Sequence, residues 1–220
     1  MIECSKRLRE IIQWIDKDII ADVGCDHAYV AVDAILEKKA NKAYACDIAQ
    51  GPLDHALQTI QTWHVEDQVF CILMNGIENL PKDVQQIIIA GMGSSTMISI
   101  LEEGIRDDIS LLLSPHKDAH LLRQYLSNSG YVIEKEKIVQ EEKHFYPILK
   151  VCKGTQVISN SDIYYGHNVE ESKEYRKFLQ YEWNKWNSII EKVPEKKQKE
   201  IRLRLDILNV RLQEFQTVDK

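Results

Sequence analysis

The 220-residue sequence predicts a doubly wound, Rossmann-like α/β domain followed by an antiparallel helical hairpin. Short apolar, β-branched runs alternate with helical patterns as far as residue 152, which is typical of a parallel sheet with right-handed crossovers. After residue 152, apolar residues instead recur with the spacing of two packed helices. We therefore predict two domains, one at 1–158 and one at 159–220.

Five strands and their helices are predicted in the first domain. Ser5 is a suitable N-cap for a first helix, and Ile87-Ile88-Ile89 indicates a buried central strand. The predicted strands are 19–23, 42–47, 69–73, 86–90 and 110–114, and further helices are predicted at 29–38, 51–63, 95–101 and 119–129. The crossover before the fourth strand is abbreviated. Two long strands, 131–139 and 145–152, are predicted to form an antiparallel hairpin around a charged turn at 141–144.

The second domain has a coiled-coil pattern. Leu179, Trp186 and Val193 recur every seven residues, and Pro194 then interrupts the pattern. A second seam follows at spacings of four and three, made by Ile201, Leu205, Leu208, Leu212 and Phe215. Two helices joined by a short turn that contains proline make an antiparallel hairpin.

Composition narrows the class of protein. No apolar run approaches the roughly 20 residues that span a bilayer, and residues 1–7 do not resemble a signal peptide, so we predict a cytoplasmic protein without a membrane partner. The net charge is −6, with 16 basic against 23 acidic residues in 1–158 and 12 against 11 in 159–220. Nucleic-acid binding by such a protein must depend on local basic patches.

The five cysteines do not form a recognisable set. They are spread along the chain and none lies in a Cys-x-x-Cys pair, so neither a disulfide framework nor a zinc ribbon is predicted. Cys46 and Cys71 fall in apolar stretches, and we expect both to be buried.

The loop after the first strand, Asp22-Val23-Gly24-Cys25-Asp26-His27-Ala28, carries the main functional signal. Ligands of open parallel sheets bind beyond the carboxyl ends of the strands. Asp26 and Ala28 replace two glycines of a dinucleotide fingerprint, and a carboxylate at Asp26 disfavours a pyrophosphate there. S-adenosylmethionine carries a sulfonium and an ammonium but no phosphate. The acidic loop therefore favours this cofactor over a dinucleotide.

Three further loops extend the predicted cofactor site. Asp47 ends the second strand, where a carboxylate meets a ribose diol, and Ile48 follows it. Asn75-Gly76 follows the third strand and is placed to frame the adenine. Ala90-Gly91-Met92-Gly93 follows the fourth strand and should face the transferable methyl group. The alternative interpretation is that the aspartates are solvated strand ends and the glycines serve an ordinary turn.

Several of these motifs together resemble the bacterial TrmK family, enzymes that methylate N1 of the adenine at position 22 of tRNA. The resemblance covers about residues 1–152 and rests on Ser5-Lys6-Arg7-Leu8, Asp22 to Tyr29, Gly51-Pro52, Asn75-Gly76, Ile89 to Gly93, Pro115 and Glu141 to Tyr146. It implies a class I methyltransferase fold and an N1-methylated adenine in tRNA as the product. The complete predicted cofactor site comprises Arg7, Asp22, Gly24, Asp26, His27, Asp47, Ile48, Asn75, Gly76 and residues 90–93, and the predicted catalytic residues are Tyr29, Asp22 and Met92.

The sequence departs from the family pattern at four places. Cys25 stands where serine is usual, and Ser94 stands where a further glycine is common. Ser114-Pro115-His116 replaces Gln-Pro-Asn, and Tyr165-Gly166-His167 replaces Gly-Pro at the start of the second domain. The third departure lies on the substrate side, so it leaves the acceptor base open.

Substrate contacts are predicted from position and charge. Tyr29 opens the helix beside the cofactor loop, where its ring can support an unstacked adenine, although a core tyrosine is equally consistent with the sequence. tRNA contacts are predicted for Lys6, Arg9, Lys196, Lys197, Lys199, Arg202 and Arg204. The alternative is that these charges form an ordinary solvated surface.

Two pairs of side chains suggest chemistry that we do not predict. His116 and His120 could bind a metal, but they lack a third ligand nearby in the sequence, so no metal site is predicted. Cys25 and His27 could form a nucleophile and its base, but they are expected to point apart.

The assembly and the class of protein are predicted with alternatives. We predict a monomer. Methyl transfer to another acceptor remains possible, as does a non-catalytic module in which the helical hairpin binds a partner protein.

Overall fold

The computed structural model describes residues 2–218, with side chains as far as residue 214. Within these residues, seven strands form one sheet in the order β3-β2-β1-β4-β5-β7-β6. The strands are β1 (Ile19–Val23), β2 (Lys42–Asp47), β3 (Val69–Leu73), β4 (Gln86–Ala90), β5 (Ser110–Ser114), β6 (Tyr131–Glu141) and β7 (His144–Lys153). The helices are α1 (Lys6–Gln13), α2 (Tyr29–Leu36), α3 (Gln50–Thr62), α4 (Ser94–Glu102), α5 (Ala119–Asn128), α6 (Asn160–Tyr165), α7 (Lys173–Ile189) and α8 (Glu195–Val218).

The sheet confirms the predicted fold class. β1 to β5 are parallel, β7 pairs antiparallel with β5, and β6 and β7 form the predicted antiparallel hairpin. This hairpin is longer than predicted because Glu141 pairs with His144 across a two-residue turn, in which Glu142 has a φ of 51°. β1 lies between β2 and β4, so the strand order reverses at β1. The carboxyl ends of β1 and β4 therefore flank the crevice where such sheets bind ligands.

Both faces of the sheet are covered by helices, which explains why its central strands are continuously apolar. Ile20 of β1 and Ile88 of β4 pack with α1, α2 and α3 on one face. Ile87 and Ile89 pack with α4 and α5 on the other face. Side chains alternate between the faces along each strand, so one run of isoleucines serves both layers.

The edge of the sheet explains one wrong expectation. Cys46, on β2, is fully buried as predicted, whereas Cys71 is exposed. β3 is an edge strand, and its burial pattern shows that only Val69 is fully covered. An apolar stretch in the sequence does not distinguish an edge strand from a central one.

The abbreviated crossover before β4 is confirmed, since residues 74–85 contain turns and no helix. Arg106 holds this segment by donating to Lys82 O at 2.7 Å and to Val84 O at 2.6 Å. Two backbone carbonyls of a helix-free crossover are thereby satisfied by one guanidinium.

The C-terminal residues form the predicted helical hairpin and pack on the β6–β7 hairpin. α7 and α8 are joined by a 3₁₀ turn (Ile190–Lys192). Leu179, Ile201 and Leu208 of the predicted seam are buried, and Leu208 packs with Ile138 of β6. The side chain of Phe215 lies outside the described residues. The domain boundary at residue 158 stays a prediction.

A buried ion pair connects the two parts of the chain. Arg123 of α5 and Glu136 of β6 are almost completely buried and lie 2.5 Å apart. Arg123 also donates to Ile163 O of α6 at 2.9 Å, and Glu136 accepts from His167 N at 3.1 Å. Because both charges are paired and hydrogen-bonded, this cluster fixes α6 and the following segment against the sheet.

Even α8, at 24 residues, falls short of the sustained hydropathy that a helix needs to cross a bilayer, and so does every other described helix.

Candidate active site

The loop after β1 is held against the end of β2. Gly24 N and Cys25 N both donate to Cys46 O, at 2.8 and 3.1 Å. Gly24 has a φ of +76°, and Asp26 and Ala28 also adopt left-handed conformations at 46° and 56°. This tight backbone turn leads directly into α2 and places the acidic loop beside the crevice between β1 and β4.

Asp22 is buried beneath this loop. Burial raises its pKa to about 7, a hydrogen bond from the Ala31 N–H opposes the rise, and the nearby Asp47 carboxylate adds to it. Ala31 lies in the first turn of α2, where free N–H groups would otherwise bind a phosphate. Asp22 therefore occupies one of these donors, which supports the expectation that the loop does not hold a pyrophosphate.

His27 lies in the middle of a stack of three rings. Its centroid is 5.1 Å from that of Tyr29 and 4.9 Å from that of His55, with interplanar angles of 11° and 9°. The Asp26 carboxylate lies 3.7 Å from His27 Nε2. His55 is exposed on α3 and was not predicted from the sequence. The stack ends at Tyr29, which also packs against the hydrophobic core, and at the exposed ring of His55.

The ligand atoms of Asp26, His27 and His55 lie within 4.8 Å of one another and make one group that could hold a metal among the described residues. Imidazole lone pairs lie in the plane of the ring, so two nearly parallel, stacked rings do not aim them at one point. One ring would have to rotate before both could bind the same ion. The absence of a metal therefore stays a prediction.

The ends of β2 and β3 are joined at the next part of the site. Asp47 O accepts from Met74 N at 2.9 Å, and Asp47 Oδ1 accepts from Ala49 N at 3.0 Å. Ile48 projects into solvent with 68% of its surface exposed. Asp47 is half-buried at the strand end, and its role toward a ribose stays a prediction.

Gly76 lets an acidic side chain close the loop after β3. Glu103, which follows α4, accepts from Ile77 N at 2.7 Å and from Glu78 N at 3.2 Å. A Cβ on Gly76 would lie 1.9 Å from Glu103 Oε1, and Gly76 has a φ of +68°. Asn75 is exposed just before this turn. Glu103 is a second residue that the sequence did not reveal, because it contacts the loop only after α4 has packed.

The loop after β4 contacts the cofactor loop directly. The methyl group of Met92 lies against Gly24, so that a Cβ on Gly24 would be 2.1 Å from Met92 Cε. Met92 O accepts from His116 N at 2.8 Å, and Gly91 N donates to Ser114 O at 3.2 Å. The loops after β1, β4 and β5 are thus joined into one unit at the crevice.

Arg7 reaches this unit from α1. Its guanidinium carbon lies 4.9 Å from the centre of the Tyr146 ring, and its backbone N–H donates to Glu141 at 2.5 Å. Burial lowers the pKa of Arg7, and Glu141 partly offsets the effect. Arg7 Nε and Nη1 are buried without a hydrogen-bond partner in the described part of the chain. Either donor is suited to a carboxylate oxygen of a ligand.

Two of the predicted tRNA contacts, Arg9 and Arg204, contact other residues of the protein. Lys6 is exposed, but Arg9 binds the carboxylates of Glu37 and Asp33 and donates to Ile2 O at 2.8 Å. On α8, Lys196, Lys197, Lys199 and Arg202 are exposed. Arg204 instead lies between the rings of Tyr164 and Trp186, at 4.2 and 4.6 Å from their centres.

Neither rejected pair forms a catalytic centre. Cys25 is buried, and burial raises the pKa of its thiol far above the ordinary value, so it is not a thiolate at neutral pH. His116 and His120 do not belong to any three-ligand group in the part of the chain that the structure describes. His116 is exposed and His120 is half-buried, and both line a cleft.

Comparison with known proteins adds family relationships to this geometry. A family model described as a methyltransferase domain matches residues 4–149. The tRNA (adenine(22)-N(1))-methyltransferase of Bacillus subtilis is 31% identical over 154 residues, which cover 67% of this chain and 64% of that enzyme. The alignment therefore spans slightly less than two thirds of that relative.

Solved structures match over nearly the whole chain. A Streptococcus pneumoniae protein in complex with S-adenosyl-L-methionine has a TM-score of 0.86 and 28% identity, covering 96% of this chain and 100% of that one. Mycoplasma capricolum TrmK, in complex with S-adenosyl-homocysteine, has a TM-score of 0.85 and 26% identity, covering 96% and 99%. Both matches extend through the C-terminal helical hairpin.

Proposed function

The chain belongs to the methyltransferase domain family, and on that basis we propose that it transfers the methyl group of S-adenosylmethionine to N1 of an adenine in tRNA. The observation that carries the proposal is the contact between Gly24 and Met92, which joins the loops after β1 and β4 at the strand-order reversal. The name of the B. subtilis relative suggests position 22 as the target.

The residues at the crevice suit this cofactor. Asp22 and Asp26 provide negative charge for a ligand that carries two cationic groups, and Asp22 occupies a helix N–H that a phosphate would need. The unpartnered donors of Arg7 suit the carboxylate of the methionine part. Asp47 is placed for the ribose diol, with Ile48 beside it. Asn75 and Gly76 are placed for the adenine.

The chemistry requires orientation more than proton transfer. When bound, the cofactor supplies an electrophilic methyl group. The lone pair of adenine N1 forms the new N–C bond while the C–S bond breaks, so no general base is needed. The protein must align the acceptor nitrogen, the carbon and the sulfur, and must exclude water. Ala90, Gly91 and Gly93 leave room for a planar base at this point, and Met92 closes the space above Gly24.

An adenine can be methylated at N1 only when it is not base-paired, so it must be unstacked. The three-ring stack of His55, His27 and Tyr29 offers a surface for the displaced base. Tyr29 is at one end of this stack, and it is the first residue of α2, the helix that follows the loop after β1. We assign Tyr29 to holding the base and His27 to hydrogen bonding with cofactor or substrate.

The wider tRNA contacts rest on charge. Lys6 near the crevice and the exposed basic residues of α8 can contact phosphates, whereas Arg9 already binds the carboxylates of Asp33 and Glu37. A tRNA substrate agrees with the predicted cytoplasmic location. We also propose that the protein acts as a monomer and needs no metal. Ser114-Pro115-His116 differs from the family pattern on the substrate side, so this segment is the one that could change which base is methylated.

Two measurements test the proposal against its alternatives. Calorimetry with S-adenosylmethionine should show one site per chain, and no binding would favour a non-catalytic scaffold. Incubation with methyl-labelled cofactor and unmodified tRNA should then label the RNA. Cofactor binding without labelled RNA would favour a methyltransferase that acts on another acceptor.

A further inference from the structure

A cleft separates the β5–α5 loop from the C-terminal helical hairpin, and no predicted cofactor or catalytic residue lines it. It encloses about 280 Å³. We propose that it binds a nucleotide next to the target adenine, with the phosphate near Lys117 and Arg204 and the base among the aromatic rings. This inference rests on the proposed function, since it assigns the path of the same tRNA substrate.

The cleft begins where methyl transfer would occur. His116 N donates to Met92 O at 2.8 Å, and Ser94 Oγ donates to Lys117 O at 2.8 Å. A Cβ on Gly93 would lie 3.3 Å from Lys117 Cε. The side chains of His116 and Lys117 therefore leave from backbone that is hydrogen-bonded to the loop after β4. A strand of RNA whose adenine reaches this loop would lead directly into the cleft.

Aromatic rings and cations alternate along the walls. The guanidinium of Arg204 lies between Tyr164 and Trp186, and Lys185 Nζ lies 4.9 Å from the centre of the Trp186 ring. The ring of His120 lies 5.9 Å from that of Tyr164. Rings for stacking and cations for the backbone are the combination by which proteins hold single-stranded nucleic acid.

Arg204 retains unused hydrogen-bonding capacity within the cleft. It donates to Glu200 at 2.9 Å through Nη2, but Nε is buried without a partner among the described residues. A buried unpaired donor is unfavourable unless a ligand or water completes it. Lys117 is exposed and has no ion-pair partner among the described side chains, which end at residue 214. Both groups are suited to phosphate oxygens.

Four basic and two acidic side chains line the cleft, but three of the basic ones are already paired. The basic residues are Lys117, Arg123, Lys185 and Arg204, and the acidic ones are Asp118 and Glu182. Arg123 is paired with Glu136, Lys185 lies 3.0 Å from Glu182, and Arg204 lies 2.9 Å from Glu200. Lys117 is the lining cation that stays available to a phosphate. Burial lowers the pKa of His116 and of His120, with further lowering by Arg7 and Arg204 respectively. At neutral pH these imidazoles are therefore uncharged and available to stack or to hydrogen-bond with a base.

The cleft continues along the β6–β7 turn, so it can hold more than one nucleotide. A second cavity of about 330 Å³ shares His116, Phe145, Phe178 and Glu182 with the first. Its outer wall adds Tyr181, which is 50% exposed, and Lys143. The same alternation of rings and cations thus extends away from the crevice.

The test compares a dinucleotide with a nucleoside. On protein saturated with S-adenosyl-homocysteine, ApA should bind at least about tenfold more tightly than adenosine, because it adds a phosphate and a second base. Lys117→Ala and Arg204→Gln should each remove most of this difference. Lys82→Ala, which lies before β4 at the amino-terminal ends of the parallel strands, should retain it. Circular dichroism establishes whether Arg204→Gln keeps the helical hairpin. If it does not, Lys117→Ala alone decides.

Steady-state methylation provides the second readout. Lys117→Ala should raise KM for tRNA by roughly tenfold and leave the Kd for S-adenosylmethionine unchanged. Equal binding of ApA and adenosine to the wild type, or the same preference in folded Lys117→Ala, would overturn the proposal. So would a tetraglutamate peptide that binds the cleft while ApA does not, since that would indicate an acidic protein partner. The dinucleotide assay needs no catalysis, so it still tests the cleft if the wild type methylates no tRNA.

Discussion

The methyl group of Met92 occupies the place where any side chain on Gly24 would begin, 2.1 Å from an ideal Cβ. Gly24 follows β1 and Met92 follows β4, and these strands are neighbours where the strand order reverses. The loop after β1 and the loop after β4 are thus in direct contact at the crevice. The proposed function places the cofactor and the acceptor base beside this contact.

Replacing Gly24 should therefore disable the site without unfolding the domain. Gly24→Ala places a Cβ against Met92 and adds a left-handed conformation that costs roughly 1–2 kcal/mol. We expect S-adenosylmethionine to bind at least about tenfold more weakly by calorimetry. Gly51→Ala is the matched control, because no atom lies within 4 Å of its new Cβ. Equal affinity in both variants would contradict the assigned role of Gly24.

Asp22 should make cofactor binding depend on pH. Its pKa in the free protein is raised to about 7, mainly by burial, so it is largely protonated below that pH. A cationic ligand favours the ionised form, so affinity for S-adenosylmethionine should rise with pH up to about 7 and then level off. Calorimetry between pH 5.5 and 8.5, in roughly half-unit steps through this transition, measures the profile.

The stability of the free protein should change with pH in the opposite direction to cofactor affinity. The folded pKa of Asp22 lies above its ordinary value of 3.8, so ionisation is less favourable in the folded state. The free protein should therefore lose stability as the pH rises from about 4 to about 7. Asp22→Asn should remove this component and flatten the binding profile. A wild-type affinity that does not change with pH would show that Asp22 does not face the cationic groups.

Tyr29 should matter for turnover more than for cofactor affinity. Stacking of a base on an aromatic ring contributes about 1–3 kcal/mol, so Tyr29→Ala should lower kcat/KM for tRNA by roughly tenfold to a hundredfold. Tyr29→Phe keeps the ring and should retain most of the activity. The Kd for S-adenosylmethionine measures whether the cofactor site is intact. Full activity of Tyr29→Ala would assign this ring to the core instead.

Breaking the buried pair of Arg123 and Glu136 should destabilise the protein strongly. Glu136→Gln leaves Arg123 without its counter-charge, which should cost about 3–5 kcal/mol. For a chain of this size we expect Tm to fall by roughly 10 °C in calorimetric scans. Asp108→Asn breaks an exposed pair with Arg106 and should change Tm little. Similar Tm values for the two variants would refute the difference assigned to burial.

The exposed basic residues of α8 should supply part of the salt dependence of tRNA binding. Replacing Lys196, Lys197, Lys199 and Arg202 with glutamine should flatten the plot of log Kd against log salt by roughly 0.7–0.9 for each phosphate that the variant no longer neutralises. The control replaces Lys17 and Lys82 with glutamine, because these residues precede β1 and β4 at the amino-terminal ends of the strands. An unchanged slope in the α8 variant would rule out tRNA binding at this surface.

Local signals in the sequence were sufficient to predict the fold and the loops that follow its strands. The strand bounds followed from apolar runs, and Asp22, Asp26 and Asp47 followed from their places at strand ends. The resemblance to the TrmK family is confirmed by the matches to B. subtilis and M. capricolum proteins. Such signals work because each predicted residue lies next to the strand that positions it.

Contacts between distant segments could not be predicted in the same way. His55 lies within α3 and reaches His27 only when that helix packs beside α2, and Glu103 reaches the loop at Gly76 only through α4. Arg9 and Arg204 resemble free surface charges in the sequence, but each is held by partners from other elements. Exposure of Cys71 depended on strand order, which a run of apolar residues does not reveal.

The most direct test of the central claim maps the methyl group on the RNA. Unmodified tRNA with adenine at position 22 is incubated with the protein and S-adenosylmethionine and is then read by reverse transcription, which stops at N1-methyladenine. We expect one new stop at that adenine, which disappears when the adenine is replaced by guanine and also when the cofactor is omitted. Labelled tRNA without this stop, or a stop at another nucleotide, would contradict the account.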